Sequence, residues 1–219
     1  MPRALFEKTG NAVWISHLDL MRLFQRSFKR ADLPLTHTQG FNPRPSVSIA
    51  LPLSVGIESK CELLEFDLEG DLPAMEEIRD RLNNALVAGV RVLDVYNNGG
   101  KLKNLAYLDT IVTLEYDAGV PEGAQEALNQ LFDREEVIVE KRSKNGYREE
   151  NIIPMIRSLQ VVKADNDCLE LHARVCCQNP TLNPIQLAAA IEKYLPGLKP
   201  DFVKCSRQEL LDTREKIFR

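Results

Sequence analysis

SHLDLMRLFQRSFKRADLPLTHTQGFNPRPS, residues 16–46, decides how the rest of the chain is read. Ser16 followed by Asp19 is a capping-box-like helix start: the serine oxygen accepts from an orphan backbone N–H, and the carboxylate sits at the positive end of the helix dipole. A helix is therefore expected from His17. At about 100° per residue, Leu20, Met21, Phe24, Phe28 and Ala31 share one arc, and Arg22, Arg26, Lys29 and Arg30 share the opposite one. One face belongs to a core and the other is cationic. Like charges one turn apart cost a few tenths of a kcal/mol per pair, which an anionic partner would relieve; a solvated face is the plainer alternative. Pro34 disfavours helical geometry in the residue before it, so the helix is expected to stop near Asp32.

The segment then runs into GFNPRPS, residues 40–46. Gly40 permits positive φ, Pro43 and Pro45 fix φ, and both prolines push the residue before them toward extended geometry. A loop with so little freedom holds Phe41, Asn42 and Arg44 at low entropic cost. That suits recognition of a flat base or a phosphate, and equally the steering of the chain between two strands.

Working outward, RALFEKT before the helix reads as a strand, and SVSIALPLSV and CELLEFDLEG after it read as two more, with Pro52 marking an edge or a bulge. Pro73 opens a second helix, and VRVLDVYNN follows as a strand. The order βα, two strands, αβ is that of a ferredoxin-like α+β sandwich, an antiparallel sheet with two helices on one face. NNGGK, residues 97–101, is the strongest break in the pattern. It divides the chain into an N-terminal ferredoxin-like domain, 1–98, and a second one, 102–219. Beyond the break, strands and helices recur in the same order, which predicts two ferredoxin-like (βαββαβ-type) halves.

Composition excludes several classes. With 44% hydrophobic and 27% charged residues the chain is not generally disordered. No run approaches the roughly eighteen apolar residues of a membrane span, and Arg3, Glu7 and Lys8 stand where an export signal would be apolar, so a cytoplasmic location is expected. Five cysteines at no ligand-like spacing read as reduced thiols. Residues 1–50 hold seven Lys/Arg against three Asp/Glu, leaving 21 against 29 for the remainder. An acidic protein with one basic region is not a general nucleic-acid coat, but the region itself can bind RNA or an acidic partner.

A second basic segment is KRSKNGYREEN, residues 141–151. Lys141, Arg142, Lys144 and Arg148 surround an Asn145-Gly146 turn with Tyr147 beside it, the composition of a hairpin tip that touches phosphates and stacks on a base. The alternative is an exposed hairpin kept soluble by charge. If both basic segments face one side they would form one positive groove.

Catalytic and metal signals are weak. His17 and Asp19 point apart on a helix, and Cys168, His172 and Cys176 are too far apart along a strand to share an ion. No GxSxG, HExxH or P-loop occurs, so no catalytic residue, metal or cofactor is assigned; His17, His37 and Arg44 remain as conceivable proton donors to a phosphate.

RALFEKTG followed by WISHLDLMRLFQRSFKRADLPLTHTQGFNPRPSVSIALPLSVGIES resembles the opening of the bacterial radical-SAM-linked protein family, whose members have no established activity, and KRSKNGYREENIIPMIRSL resembles its second half more loosely. The resemblance implies association: members are encoded beside, or fused to, a radical SAM protein, often near genes for a ribonuclease and ribosomal proteins. This chain lacks the Cx3Cx2C of a radical SAM cluster, so it is not that enzyme itself. Three functions fit: a non-catalytic adaptor that partners a radical SAM enzyme and presents RNA or a ribosomal substrate, a free-standing RNA-processing or RNA-modifying enzyme, or a protein-only scaffold.

Overall fold

The structure is a computed structural model that describes residues 1–143 and 146–219, with Arg142 and Ser143 described by their backbone alone. The chain forms two compact units, Met1–Asn104 together with Phe218 and Arg219, and Leu105–Ile217.

In the first unit the order is β1 (Arg3–Lys8), α1 (His17–Arg30), β2 (Val47–Ile49), β3 (Ile57–Phe66), α2 (Met75–Ala85) and β4 (Val90–Tyr96). β1 pairs with β3 and β4, and β2 pairs with β3, all antiparallel, giving the spatial order β4-β1-β3-β2 of a ferredoxin-like sheet. α1 is amphipathic, as its sequence pattern requires, with Leu20, Phe24 and Phe28 fully buried. Phe24 meets Phe6 of β1 edge-on at 4.8 Å between ring centroids, and Phe28 tilts against Phe66 of β3 at 4.9 Å. These pairs fix the helix on the sheet and so decide which face of it looks outward.

The same unit encloses a charge and closes tightly around two glycines. Lys8, at the end of β1, is fully buried, and its ammonium donates to the backbone oxygens of Val13 (3.1 Å), Ile15 (3.2 Å) and Ser54 (3.5 Å). The glycines of NNGGK serve close approach: a Cβ on Gly99 would lie 2.6 Å from the Arg3 guanidinium, and one on Gly100 2.9 Å from the Phe218 ring. Arg3 in turn pairs with Glu65 at 2.6 Å and donates to the Gly100 carbonyl at 2.9 Å.

The second unit runs β5 (Leu105–Glu115), α3 (Ala124–Phe132), β6 (Ile138–Ser143), β7 (Gly146–Asn151), β8 (Ile156–Asp165), β9 (Cys168–Cys176), α4 (Ile185–Tyr194) and β10 (Phe202–Asp212). Antiparallel pairing gives β10-β5-β9-β8, the same order as in the first unit. The difference is an inserted hairpin, β6–β7, whose strands pair from Ile138 opposite Asn151 to Ser143 opposite Gly146. It is held at its base by α4, where Tyr194 Oη accepts from the Ile138 N–H (2.9 Å) and Lys193 donates to the Ile138 carbonyl (3.0 Å). The fold is α+β and built twice. No helix among the described residues is long and apolar enough to cross a membrane.

Candidate nucleic-acid interface

Helix α1 begins as its sequence predicts. Ser16 Oγ accepts from the Asp19 N–H at 3.2 Å and donates to the Asp19 carboxylate at 2.7 Å. Those contacts, the Ser16 hydrogen bond before the Arg22 one, hold the Asp19 carboxyl below its ordinary range. The helix ends in a Schellman arrangement, with the Asp32 N–H on the Lys29 carbonyl (3.2 Å) and the Leu33 N–H on the Phe28 carbonyl (3.0 Å). Asp32 takes the left-handed position at φ 55°, where glycine is the usual choice.

All four basic residues of the stripe are exposed, but they are not equivalent. Arg22 pairs with Asp19 at 2.9 Å. Arg30 donates to the Ala85 carbonyl at 2.6 Å and to Ser27 Oγ at 3.2 Å, so it caps the C-terminal end of α2. Arg81 of α2 returns the arrangement, donating to the Ala31 (2.8 Å) and Asp32 (2.6 Å) carbonyls. Each helix thus places an arginine on the other's negative end, where the dipole favours it. Arg26 and Lys29 make no hydrogen bond or ion pair among the described residues. The cationic character of the helix rests on these two.

The GFNPRPS loop is closed at its neck. Ser46 N–H donates to the Thr36 carbonyl (2.7 Å), Thr38 N–H to the Arg44 carbonyl (2.9 Å), and Arg44 N–H to Thr38 Oγ1 (3.0 Å). His37 faces Pro45 across this ladder. Gly40 takes φ 136°, a value only glycine reaches easily. Beyond the neck Phe41 is fully exposed, and Asn42 and Arg44 are exposed with it. The Phe41 ring is therefore free to stack on a flat partner.

Beside the neck lies a cleft of about 420 Å³, reaching from Gln25 and Lys29 of α1 to His37, Pro45 and Glu69. It brings the end of the cationic stripe and the base of the loop to one place. Sequence reasoning did not find it, because Glu69 enters only through long-range pairing, its N–H donating to the Pro34 carbonyl at 2.8 Å.

On the β6–β7 hairpin the two described cations are engaged. Lys141 pairs with Glu150 at 3.0 Å and donates to the Thr181 carbonyl at 2.7 Å, while Arg148 pairs with the same Glu150 at 2.9 Å. Tyr147 is exposed. Lys144, Asn145 and the Arg142 side chain, which the sequence places at the hairpin tip, lie outside the described residues.

On the even-numbered face of β9, His172 meets Glu170 at 2.6 Å, and Arg174 binds both oxygens of Asp109 (2.7 and 2.9 Å) and also Glu215 (2.6 Å). Glu215 also takes Arg157 at 2.8 Å. Two arginines and two carboxylates therefore balance one another there. Among the described residues no three His, Cys, Asp or Glu side chains converge as metal ligands.

The model of a protein family described as "Uncharacterized protein conserved in bacteria (DUF2344)" matches residues 2–184. No curated protein matches the sequence. Among solved structures, a chain of a Cbf5-Nop10-Gar1 complex aligns at 9% identity and a TM-score of 0.53, over 95% of this chain and 48% of that one. A chain of an H/ACA RNP bound to a substrate RNA containing 2'-deoxyuridine aligns at 10% identity and a TM-score of 0.44, over 90% and 44%. This chain spans about half the length of these two solved chains. At such identity the first likeness concerns the fold.

Proposed function

The chain belongs to that bacterial family, and from this premise we propose that it is a non-catalytic RNA-binding adaptor, which holds single-stranded RNA or a ribosomal substrate against the cationic side of its first unit. The observation that carries the reading is the pair Arg26 and Lys29, which point outward from a helix whose other basic residues are already paired, near a pinned loop that presents Phe41 and Arg44. Unpaired cations attract phosphates and release counterions, and an exposed aromatic stacks on any base without reading sequence. The enzyme it serves is a radical SAM protein in the cytoplasm, a partner that comes from the family resemblance of residues 3–59 and not from these side chains.

A second reading, the protein-only scaffold, has its own support. Trp14 is 64% and Leu18 67% exposed at the start of α1, with Val55 exposed close by. Apolar side chains of that size on one surface suit a protein contact. Purification of the tagged protein from its native cell, with and without nuclease, separates the two. Co-purifying RNA, with a protein partner lost on nuclease treatment, supports the adaptor. A protein partner that survives nuclease, with no RNA recovered, supports the scaffold.

A further inference from the structure

The cleft beside the loop neck has a chemistry of its own. Its depth is apolar, made by Phe28, Leu33 and Leu35, and its mouth is polar, with Lys29 on one side and His37 and Glu69 on the other. A volume of about 420 Å³ falls within the range of small-ligand sites. Glu69 is pinned through its backbone to Pro34, and its carboxylate stays accessible, 3.9 Å from the His37 ring. Asp32, the other acid at the rim, leans toward Arg81 at 3.7 Å.

These features exclude some occupants. A phosphate inside the cleft would face the Glu69 carboxylate, and like charges disfavour that; the place for the phosphates is outside, on Arg26 and Lys29, which sit one turn apart. What enters must be flat, largely apolar on its faces, and a hydrogen-bond donor along one edge. A nucleobase has that form, and the His37 ring at the wall provides a stacking surface. Among the bases, guanine sets a ring N–H and an amino group side by side, which matches the two acceptor oxygens of a carboxylate. Uracil offers one N–H between two carbonyls that the carboxylate repels.

We propose that this cleft takes one unstacked guanine from an RNA single strand, with Glu69 on its donor edge, His37 against its face and the neighbouring phosphates on Arg26 and Lys29. The proposal rests on the RNA-binding reading and adds to it a base pocket and a preference.

The test uses the full chain and short uridine-rich single strands that carry at their centre a guanosine, a uridine or an abasic sugar. Wild type is expected to bind the guanosine strand about tenfold more tightly than the uridine strand, within the range for a good two-point base contact, and the abasic strand weakest. Glu69→Gln should bring the guanosine strand down to the uridine strand, and His37→Ala should bring both down toward the abasic one. Both variants change exposed side chains and should keep the wild-type melting curve. Both should also keep the salt dependence of binding, because Arg26 and Lys29 remain. Equal binding of the three strands to wild type, with that salt dependence present, overturns the base pocket and leaves RNA binding standing. No binding of any strand overturns both. Binding of an arginine-rich peptide that Glu69→Gln abolishes, without discrimination among the strands, assigns the cleft to a protein instead.

Discussion

On α1, the side chains of Arg26 and Lys29 reach solvent with no partner among the described residues, whereas on the β6–β7 hairpin Lys141 and Arg148 converge on Glu150 and Lys141 also caps the Thr181 carbonyl. The two segments look alike in composition, each with four basic residues in a short span. What separates them is where the nearest carboxylate lies. In the helix the acids sit at its two ends, Asp19 and Asp32, and the middle of the stripe is left uncompensated. In the hairpin, Lys141 is paired across the strands with Arg148, and Glu150 lies two residues along on the same face, within reach of both. The count of charges predicts affinity for an anion poorly; the count of unengaged charges is the quantity to compare.

The strongest way to break this comparison is to reverse the two free cations. Arg26→Glu with Lys29→Glu should lower RNA affinity about 100-fold or more at low salt, on the scale of two lost charged hydrogen bonds. The slope of log affinity against log salt should become shallower by about 1.4, two single-strand contacts at about 0.7 each. The helix should persist, since both side chains are exposed and glutamate is a good helix former. Unchanged affinity and slope in a folded double variant would reduce the stripe to a solvated face.

Phe41→Ala comes next. Loss of one base-aromatic stack is worth about 1–3 kcal/mol, so affinity should fall about tenfold with the salt slope intact, and the melting temperature should not move because the ring is fully exposed. A large fall in melting temperature would show that the ring packs in solution.

The hairpin supplies the opposite result. Lys141→Ala should leave RNA affinity within about twofold of wild type and cost about 1 kcal/mol of stability, the usual net value of a hydrogen bond. If affinity fell as far as in the helix variant, the hairpin would be part of the interface and the contrast between the two segments would fail.

The difference between helix and hairpin also marks how far the residues alone carry the reading. The start of α1 was legible, since a serine and an aspartate three residues apart act through backbone groups within one turn. Its buried face was legible because periodicity is local, and so was the repeated βαββαβ order. Arg30 was counted with the free stripe because its acceptor, Ala85, lies fifty-five residues away and leaves no trace in the local pattern. NNGGK read only as a break in the pattern for the same reason: the arginine and phenylalanine that crowd its two glycines come from opposite ends of the sequence. The cleft was invisible because its carboxylate, Glu69, joins the helix only after β3 has folded back.

The smallest effect sharpens the contrast from the other side, in a cluster whose charges serve one another. Glu215 is held below its ordinary value of 4.5 by hydrogen bonds from Arg157 and then Arg174. A carboxyl lowered in the folded state contributes stability that is complete above its unfolded pKa and is lost as pH falls through the folded value. Acid should therefore weaken the protein below about pH 4.5, and Glu215→Gln should flatten that part of the stability curve in thermal melts without altering RNA binding at neutral pH. An identical acid limb in the variant would place the loss elsewhere.

Lys8 offers a clock. A lysine whose ammonium is enclosed and shared among three carbonyls meets an amine-reactive label only when the strand and the loops around it part. Pulsed reductive methylation read residue by residue should therefore modify the surface lysines at once and Lys8 last. Its lag would time the opening of the first unit, and a ligand on that unit would lengthen it.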